Sequence, residues 1–249
     1  MKLQFRFVCN VVFLCCLVGG SANAQGCKYV DKGKLANVMG INKELVPFLN
    51  LEIPSCANIY LADGYVGFVL NEQNERLNNG IRSEISIDYP FAEGDTIEYR
   101  WSIMVPSKNE PGGETSQWWL IAQWHDQPNP KFGETWATFK SQPPPVAIYI
   151  ENRGGSVGIG LQGIQGKKIT WAPVPTDIWL NLSVKIHWST LNNGSVNFSV
   201  DDHPELDAKF VGRNMLNSYQ HYFKAGQYRA PRINKYSKIY IKNVRFRKL

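Results

Sequence analysis

The feature that most restricts the fold is a period of two. Ile97, Tyr99, Trp101, Ile103 and Val105 alternate with Glu98, Arg100, Ser102 and Met104, the pattern of a strand with one face buried. Leu180, Leu182, Val184, Ile186 and Trp188 do the same against Trp179, Asn181, Ser183, Lys185 and His187, and Val196, Phe198 and Val200 against Asn197, Ser199 and Asp201. Between these last two runs, Leu191-Asn192-Asn193-Gly194 predicts a hairpin. A second hairpin is expected where Asn152-Arg153-Gly154-Gly155 joins Val146–Glu151 to Ser156–Gln162. Lys238–Arg247 reads as a further strand whose parity shifts near Asn243, the mark of a bulge. Helical signals are confined to one or two short turns within Lys32–Leu49. Strands with one apolar face must bury those faces against each other. The expected fold is therefore all-β, a jelly-roll β-sandwich of two antiparallel sheets with a concave groove. With 43% hydrophobic and 12% aromatic residues, the chain can fill such a core and is not a disordered one.

The N-terminus follows a different logic. Lys2 and Arg6 precede an apolar stretch from Val11 to Val18, and Ala22-Asn23-Ala24 supplies a small-residue cleavage pattern. Residues 1–24 are expected to be a signal peptide, and residues 25–249 a single domain, since no linker or change of composition divides them. The apolar run is shorter than the roughly 20 residues that span a bilayer, and no later segment is long enough, so a secreted or periplasmic protein with no membrane partner is expected. Three of the five cysteines fall in the leader, leaving Cys27 and Cys56. In an oxidising compartment these two are expected to form a disulfide; two buried thiols, or a lipidated Cys27, are the alternatives. A lipid-attachment signal favours Leu where Ala24 stands. Two cysteines without nearby His ligands give no zinc site.

Strand parity also selects the residues that face a groove. In Gln117–His125, Trp119, Ile121, Gln123 and His125 share one side, and Trp118, Leu120, Ala122 and Trp124 the other. In Ile81–Asp88, Arg82, Glu84, Ser86 and Asp88 oppose Ile81, Ser83, Ile85 and Ile87; in Tyr222–Tyr228 the polar set is Tyr222, Lys224, Gly226 and Tyr228. If these faces belong to one sheet, Arg82, Gln123, His125, Lys224 and Tyr228 line a common groove. Two loops, Ser107–Ser116 and Asp126–Gln142, are rich in Pro, Gly and Asn, and the second is long enough to form a rim or lid.

These segments carry a resemblance. Ile81-Arg82-Ser83-Glu84-Ile85, Gln123-Trp124-His125 and Tyr222-Phe223-Lys224-Ala225-Gly226-Gln227-Tyr228-Arg229 resemble, in order and content, the signature strands of jelly-roll polysaccharide lyases. The nearest group is the heparin lyase I-like one, with glucuronan lyases, and alginate lyases are more distant. The resemblance runs from about Tyr60 to the C-terminus; residues 25–59 match nothing in it. It implies β-elimination on a uronic acid polymer, with loss of the C5 proton, rupture of the 4-O-glycosidic bond and an unsaturated sugar as product. Gln123, His125 and Arg82 would neutralise the uronate carboxylate, so that charge can spread onto it as the proton leaves. Tyr228 would be the general acid, and Tyr228 or His125 the base. Lys224, Glu84, Trp119, Tyr222 and Arg229 are the expected substrate-binding residues. A phenol is a poor base at neutral pH, and the Arg82 cation is expected to favour phenolate. No organic cofactor is required, and calcium is neither required nor excluded.

Other functions are weighed on the same residues. A non-catalytic carbohydrate-binding module or lectin for acidic glycans could stack sugars on Trp119, Tyr222 and Trp179, but stacking needs neither His125 nor Tyr228. A laminarinase-type hydrolase needs two carboxylates about 5–5.5 Å apart, whereas Glu84 and Asp88 are four residues apart. The formal charge of +6 falls to +4 when Lys2 and Arg6 leave with the leader, too little for nucleic acid yet suited to an acidic polysaccharide met by a monomer.

Overall fold

The computed structural model describes residues 30–72, 76–77, 80–107, 118–140, 142–233 and 235–249. The expected signal peptide, Cys27 and most of the first loop lie outside the described residues. Two seven-stranded sheets face each other. One contains, in spatial order, β1 (Leu49–Glu52), β4 (Ile81–Ile87), β13 (Tyr222–Arg229), β6 (Trp119–His125), β7 (Val146–Arg153), β8 (Ser156–Gln162) and β9 (Ala172–Pro173). The other contains β12 (Ala208–Val211), β11 (Ser195–Val200), β10 (Trp179–His187), β5 (Thr96–Met104), β14 (Ser237–Lys248), β3 (Tyr65–Leu70) and β2 (Ile59–Ala62). The pairings within both sheets are antiparallel, which is the jelly-roll sandwich that the alternating runs require.

The core lies between the sheets. Tyr99 and Trp101 from β5 meet Trp124 of β6 and Phe223 of β13 at ring-centroid distances of 5.1 to 6.1 Å, mostly edge to face, the geometry that aromatic quadrupoles favour. Both expected hairpins form, β10 with β11 and β7 with β8. In the second, Gly154 and Gly155 take φ of 59° and 86°, as the tight turn between right-twisted strands demands, and the Asn152 side chain accepts a hydrogen bond from Gly155 N at 3.0 Å. The parity shift in β14 is a bulge: Asn243 has φ 57°, and the register against β5 changes between Lys242 and Arg245.

The N-terminal segment closes an edge of each sheet. Helix α1 (Lys32–Val38) is capped by Asp31, whose side chain accepts from Lys34 N at 2.7 Å, and it buries Leu35 and Ala36. The carbonyl of Met39 accepts from Val244 N at 3.0 Å, so the helix end is tied to the β14 bulge. A 3-10 turn (Lys43–Phe48) then leads into β1 beside β4, and a second (Cys56–Asn58) leads into β2 beside β3. Cys56 is disulfide-bonded.

Candidate active site

The sheet order places the three signature strands side by side as β4, β13 and β6. On β13, Tyr228 pairs with Arg82 of β4, while Lys224 and Tyr222 pair with Gln123 and His125 of β6. Outward-facing residues of β6 and β7, with Tyr228 of β13, line a cleft of about 540 Å³ whose lining includes Trp118, Leu120, His125, Tyr149, Lys168 and Tyr228. His125 and Tyr228 therefore share one side of one sheet and one cleft. The row of Gln123 and Lys224 lies between them.

Strict alternation fails on β6. Between Leu120 and Ala122, β6 carries one residue more than β7, and between Ala225 and Tyr228, β13 carries one more than β6. Ile121 and Ala122 are consequently both in the core. The extra residue inverts parity upstream of it. Trp119, expected in the groove, borders the cleft but is only 2% exposed and packs in the core. Its neighbour Trp118, assigned to the opposite face by alternation, is 42% exposed in the cleft, with its ring 4.6 Å from that of Tyr228. Arg229 is also misplaced as a substrate residue. It is fully buried on the other side of β13, donating to Ser237 Oγ at 2.7 Å and to the Asn71 carbonyl at 3.1 Å. Parity with Phe223 already placed it there, against the motif.

The glycine of the Lys-x-Gly-x-Tyr string has a structural cause. Gly226 has φ 142°, and a Cβ there would run into the Ser83 carbonyl of β4. Only glycine lets the two strands approach at the row before Tyr228.

Beneath the cleft lies a charged layer rather than an open row of cations. Arg82 is 6% exposed. Its NH1 is 2.9 Å from Glu52 Oε2 and 3.6 Å from Glu84 Oε2, and its guanidinium lies 4.1 Å above the centre of the Tyr228 ring. Glu84 and Gln123 are fully buried and bonded to each other, Gln123 Nε2 donating to Glu84 Oε1 at 2.8 Å. Lys224 is buried too, 2.7 Å from Glu52 Oε1 and 5.0 Å from the centre of the Tyr222 ring. Glu84, Lys224 and Gln123 thus lie under the cleft surface, where groove-facing side chains were expected. Burial pushes the Glu84 carboxyl up against the pull of Lys224 and Arg82. It pushes the Lys224 ammonium down against Glu84 and Glu52.

Tyr228 and His125 both line the cleft. Tyr228 is raised above an ordinary phenol, first by burial; the Arg82 cation opposes this, while Glu84 and Glu52 add to it. The expected drift toward phenolate does not occur, and at neutral pH Tyr228 is a proton donor. His125 Nδ1 lies 2.9 Å from the Asp126 carbonyl oxygen, with which it is aligned, and 2.8 Å from the Asp126 carboxylate. Both neighbours are acceptors, so Nδ1 carries the proton and Nε2 is the basic nitrogen of the neutral ring. Asp126, Glu52 and Trp118 escaped sequence reasoning. Asp126 adjoins a motif residue and could have been found; Glu52 lies in the segment that the resemblance does not reach.

The remaining histidines lie elsewhere. His221 is buried against Trp188, His187 bonds Thr96 in the second sheet, and His203 pairs with Glu205. Trp179, too, belongs to the second sheet, where Lys242 covers its ring. Among the described residues no group of three or more His, Cys, Asp or Glu is placed to hold a metal ion.

Comparison with known proteins follows the same strands. No curated protein matches the chain. Solved structures that share the fold include the following three. They are an endo-β-1,4-glucuronan lyase from the fungus Trichoderma reesei (TM-score 0.54, 12% identity, 80% of this chain and 86% of that one), the alginate lyase Aly36B (0.59, 14%, 88% and 91%), and an alginate lyase from Pseudomonas aeruginosa (0.52, 16%, 81% and 98%). At such identities the likeness is one of fold alone. The sequence model of the polysaccharide lyase family, however, matches residues 59–245, a span that contains all three signature strands and most of both sheets. By that match the chain belongs to the polysaccharide lyases.

Proposed function

We propose that this lyase is a secreted or periplasmic monomer that cleaves a uronic acid-containing polysaccharide by β-elimination, with glucuronan-like or heparin-like polymers first among its substrates. The observation that carries the reading is the placement of an oriented imidazole and a protonated phenol in one cleft, with a buried guanidinium against the phenol ring. In this mechanism His125 Nε2 removes the C5 proton. The electron pair forms the C4–C5 double bond as the C4–O bond breaks, and Tyr228 protonates the departing oxygen. The positive charge of Arg82, in a region sheltered from water, favours the negative charge that develops on the uronate carboxylate. Trp118 offers an exposed ring on which a sugar stacks. The solved alginate and glucuronan lyases named above support the substrate class by their shared fold.

The test is the appearance of unsaturated ends when the mature protein is mixed with a panel of polyglucuronate, heparin-type chains and alginate. Tyr228→Phe is expected to lower kcat by about 10²–10⁴-fold with the circular dichroism spectrum and much of the binding retained. Near-normal turnover in this variant would overturn the role of the phenol. Binding of a polyuronate by the wild type with no unsaturated product would identify a passive glycan binder.

A further inference from the structure

One carboxylate in the site comes from outside the region that the family model matches. Glu52 is the last residue of β1, the edge strand next to β4, where it pairs with Glu84; the match begins only at residue 59. Its Oε2 receives Arg82 NH1 at 2.9 Å and Lys224 Nζ at 2.8 Å, and its Oε1 lies 2.7 Å from Lys224 Nζ. Each of these cations lies against a phenol of β13, Arg82 on the ring of Tyr228 at 4.1 Å and Lys224 beside that of Tyr222 at 5.0 Å. The side chains of Arg82 and Lys224 are 7% and 3% exposed, that of Glu52 14%. At that depth water screens little of the charge.

We propose that Glu52 is a positioning residue of the reaction: its single carboxylate holds Arg82 against the ring of Tyr228 and Lys224 beside Tyr222, and so fixes the charge that the catalytic phenol meets. A structural role alone would require only that Glu52 neutralise Lys224. The bridge to Arg82 does more, because it ties the guanidinium to a point fixed by the β1–β4 pairing. Among the described residues, the charged and titratable groups around the phenol are Arg82 and Glu84 from β4, Glu52 from β1 and Tyr149 from β7, whose cluster Tyr228 packs against. Glu151 of β7 and Lys168 line the same cleft. Lys224 and Tyr222 stand further along its own strand β13, and His125 across the cleft on β6. Of the two carboxylates that hold the Tyr228 proton on, Glu52 is the one bonded directly to Arg82.

The inference rests on the lyase reading for its kinetics, but its titration does not. In Glu52→Gln the amide keeps an acceptor for Arg82 and loses the negative charge. The Tyr228 phenol, followed as the ultraviolet titration difference between each protein and its Tyr228→Phe partner, is expected to ionise about one pH unit lower. With a cleaved polyuronate, kcat is expected to fall tenfold or more with KM changed less than threefold, and the alkaline limb of the kcat profile to move down by the same pH interval. The variant leaves Lys224 buried without its countercharge, so Glu52→Gln/Lys224→Gln is measured beside it. The double variant is expected to recover the melting temperature while the phenol stays shifted. Wild-type phenol titration in a folded Glu52→Gln protein, or its return in the double variant, would overturn the proposal. Absence of unsaturated product from the wild type would overturn the lyase reading and leave the phenol titration to decide the role of Glu52.

Discussion

At the scale of single residues, the cleft depends on side chains that are absent as much as on those present. Gly80 sits at the start of β4, and a Cβ on it would overlap the ring of Tyr228 and come within 3.0 Å of an Arg82 nitrogen. The missing methyl is what lets the phenol lie flat over the guanidinium. Gly80→Ala is expected to push the ring off Arg82 and cut kcat by up to about 10²-fold, the cost of misplacing a reacting group by an ångström, with an unchanged far-ultraviolet spectrum; wild-type kcat would show that the ring has another place to rest. His125, Arg82 and Tyr228 were legible in the sequence because strand parity and the order of three motifs put an imidazole, a guanidinium and a phenol on outward faces of three strands. Their partners were not. Glu52 is an ordinary acid in a segment without a motif, and nothing in the letters distinguishes it until β1 pairs with β4.

At the scale of elements, strands with strict alternation were readable end to end, and a strand with an extra residue was readable only where one of its faces is solvated. β5, β10 and β11 bury one face throughout, so an apolar residue recurs at every second position. β6 buries residues on both sides of its bulge and exposes little of either face. Alternation then carries no warning of the inversion that exchanges Trp118 for Trp119. In β14 the bulge was visible because its outer face is solvated and polar, so the change of phase appears in the letters. The short helix α1 illustrates a third case. Seven residues are too few for a stable isolated helix, and it persists through the Asp31 cap, its buried Leu35 and Ala36, and the tie from Val244 to Met39. Asp31→Ala is expected to lower stability by about 1 kcal/mol, read as a fall in the urea midpoint with an unchanged slope. Because α1 reaches the cleft through no residue of the charged layer, kcat at 25 °C stays that of the wild type; a parallel loss of kcat would mean that the helix also sets the position of β1.

At the scale of the whole molecule, the two sheets meet at a titratable seam. His221, just before β13 of the cleft sheet, packs on Trp188 at the end of β10 in the other sheet, with ring centroids 5.5 Å apart. Trp188 is sandwiched in turn by Phe91 at 4.9 Å. The imidazole is satisfied as a neutral ring: Nε2 accepts from Leu216 N at 3.1 Å, and Nδ1 donates to the Tyr219 carbonyl at 3.0 Å. Burial is the main reason that its pKa is pushed down to about 4. An unfolded histidine titrates near 6.5, so between about pH 6.5 and pH 4 the unfolded chain binds the proton and the folded one does not. Stability contributed by the neutral ring is therefore complete above pH 6.5 and lost progressively as the pH falls through that window, by on the order of 3 kcal/mol. Glu84, whose pKa is raised by burial, works in the opposite direction because its folded form gains a proton first, so the slope of the wild type alone does not isolate the histidine. His221→Gln does, since an amide can replace both hydrogen bonds without titrating. The difference in unfolding free energy between wild type and His221→Gln is expected to be flat above pH 6.5 and to move in favour of the variant as the pH drops toward 4. A pH-independent difference would mean that the seam admits the proton without opening, and that the acid tolerance of the sandwich is set elsewhere.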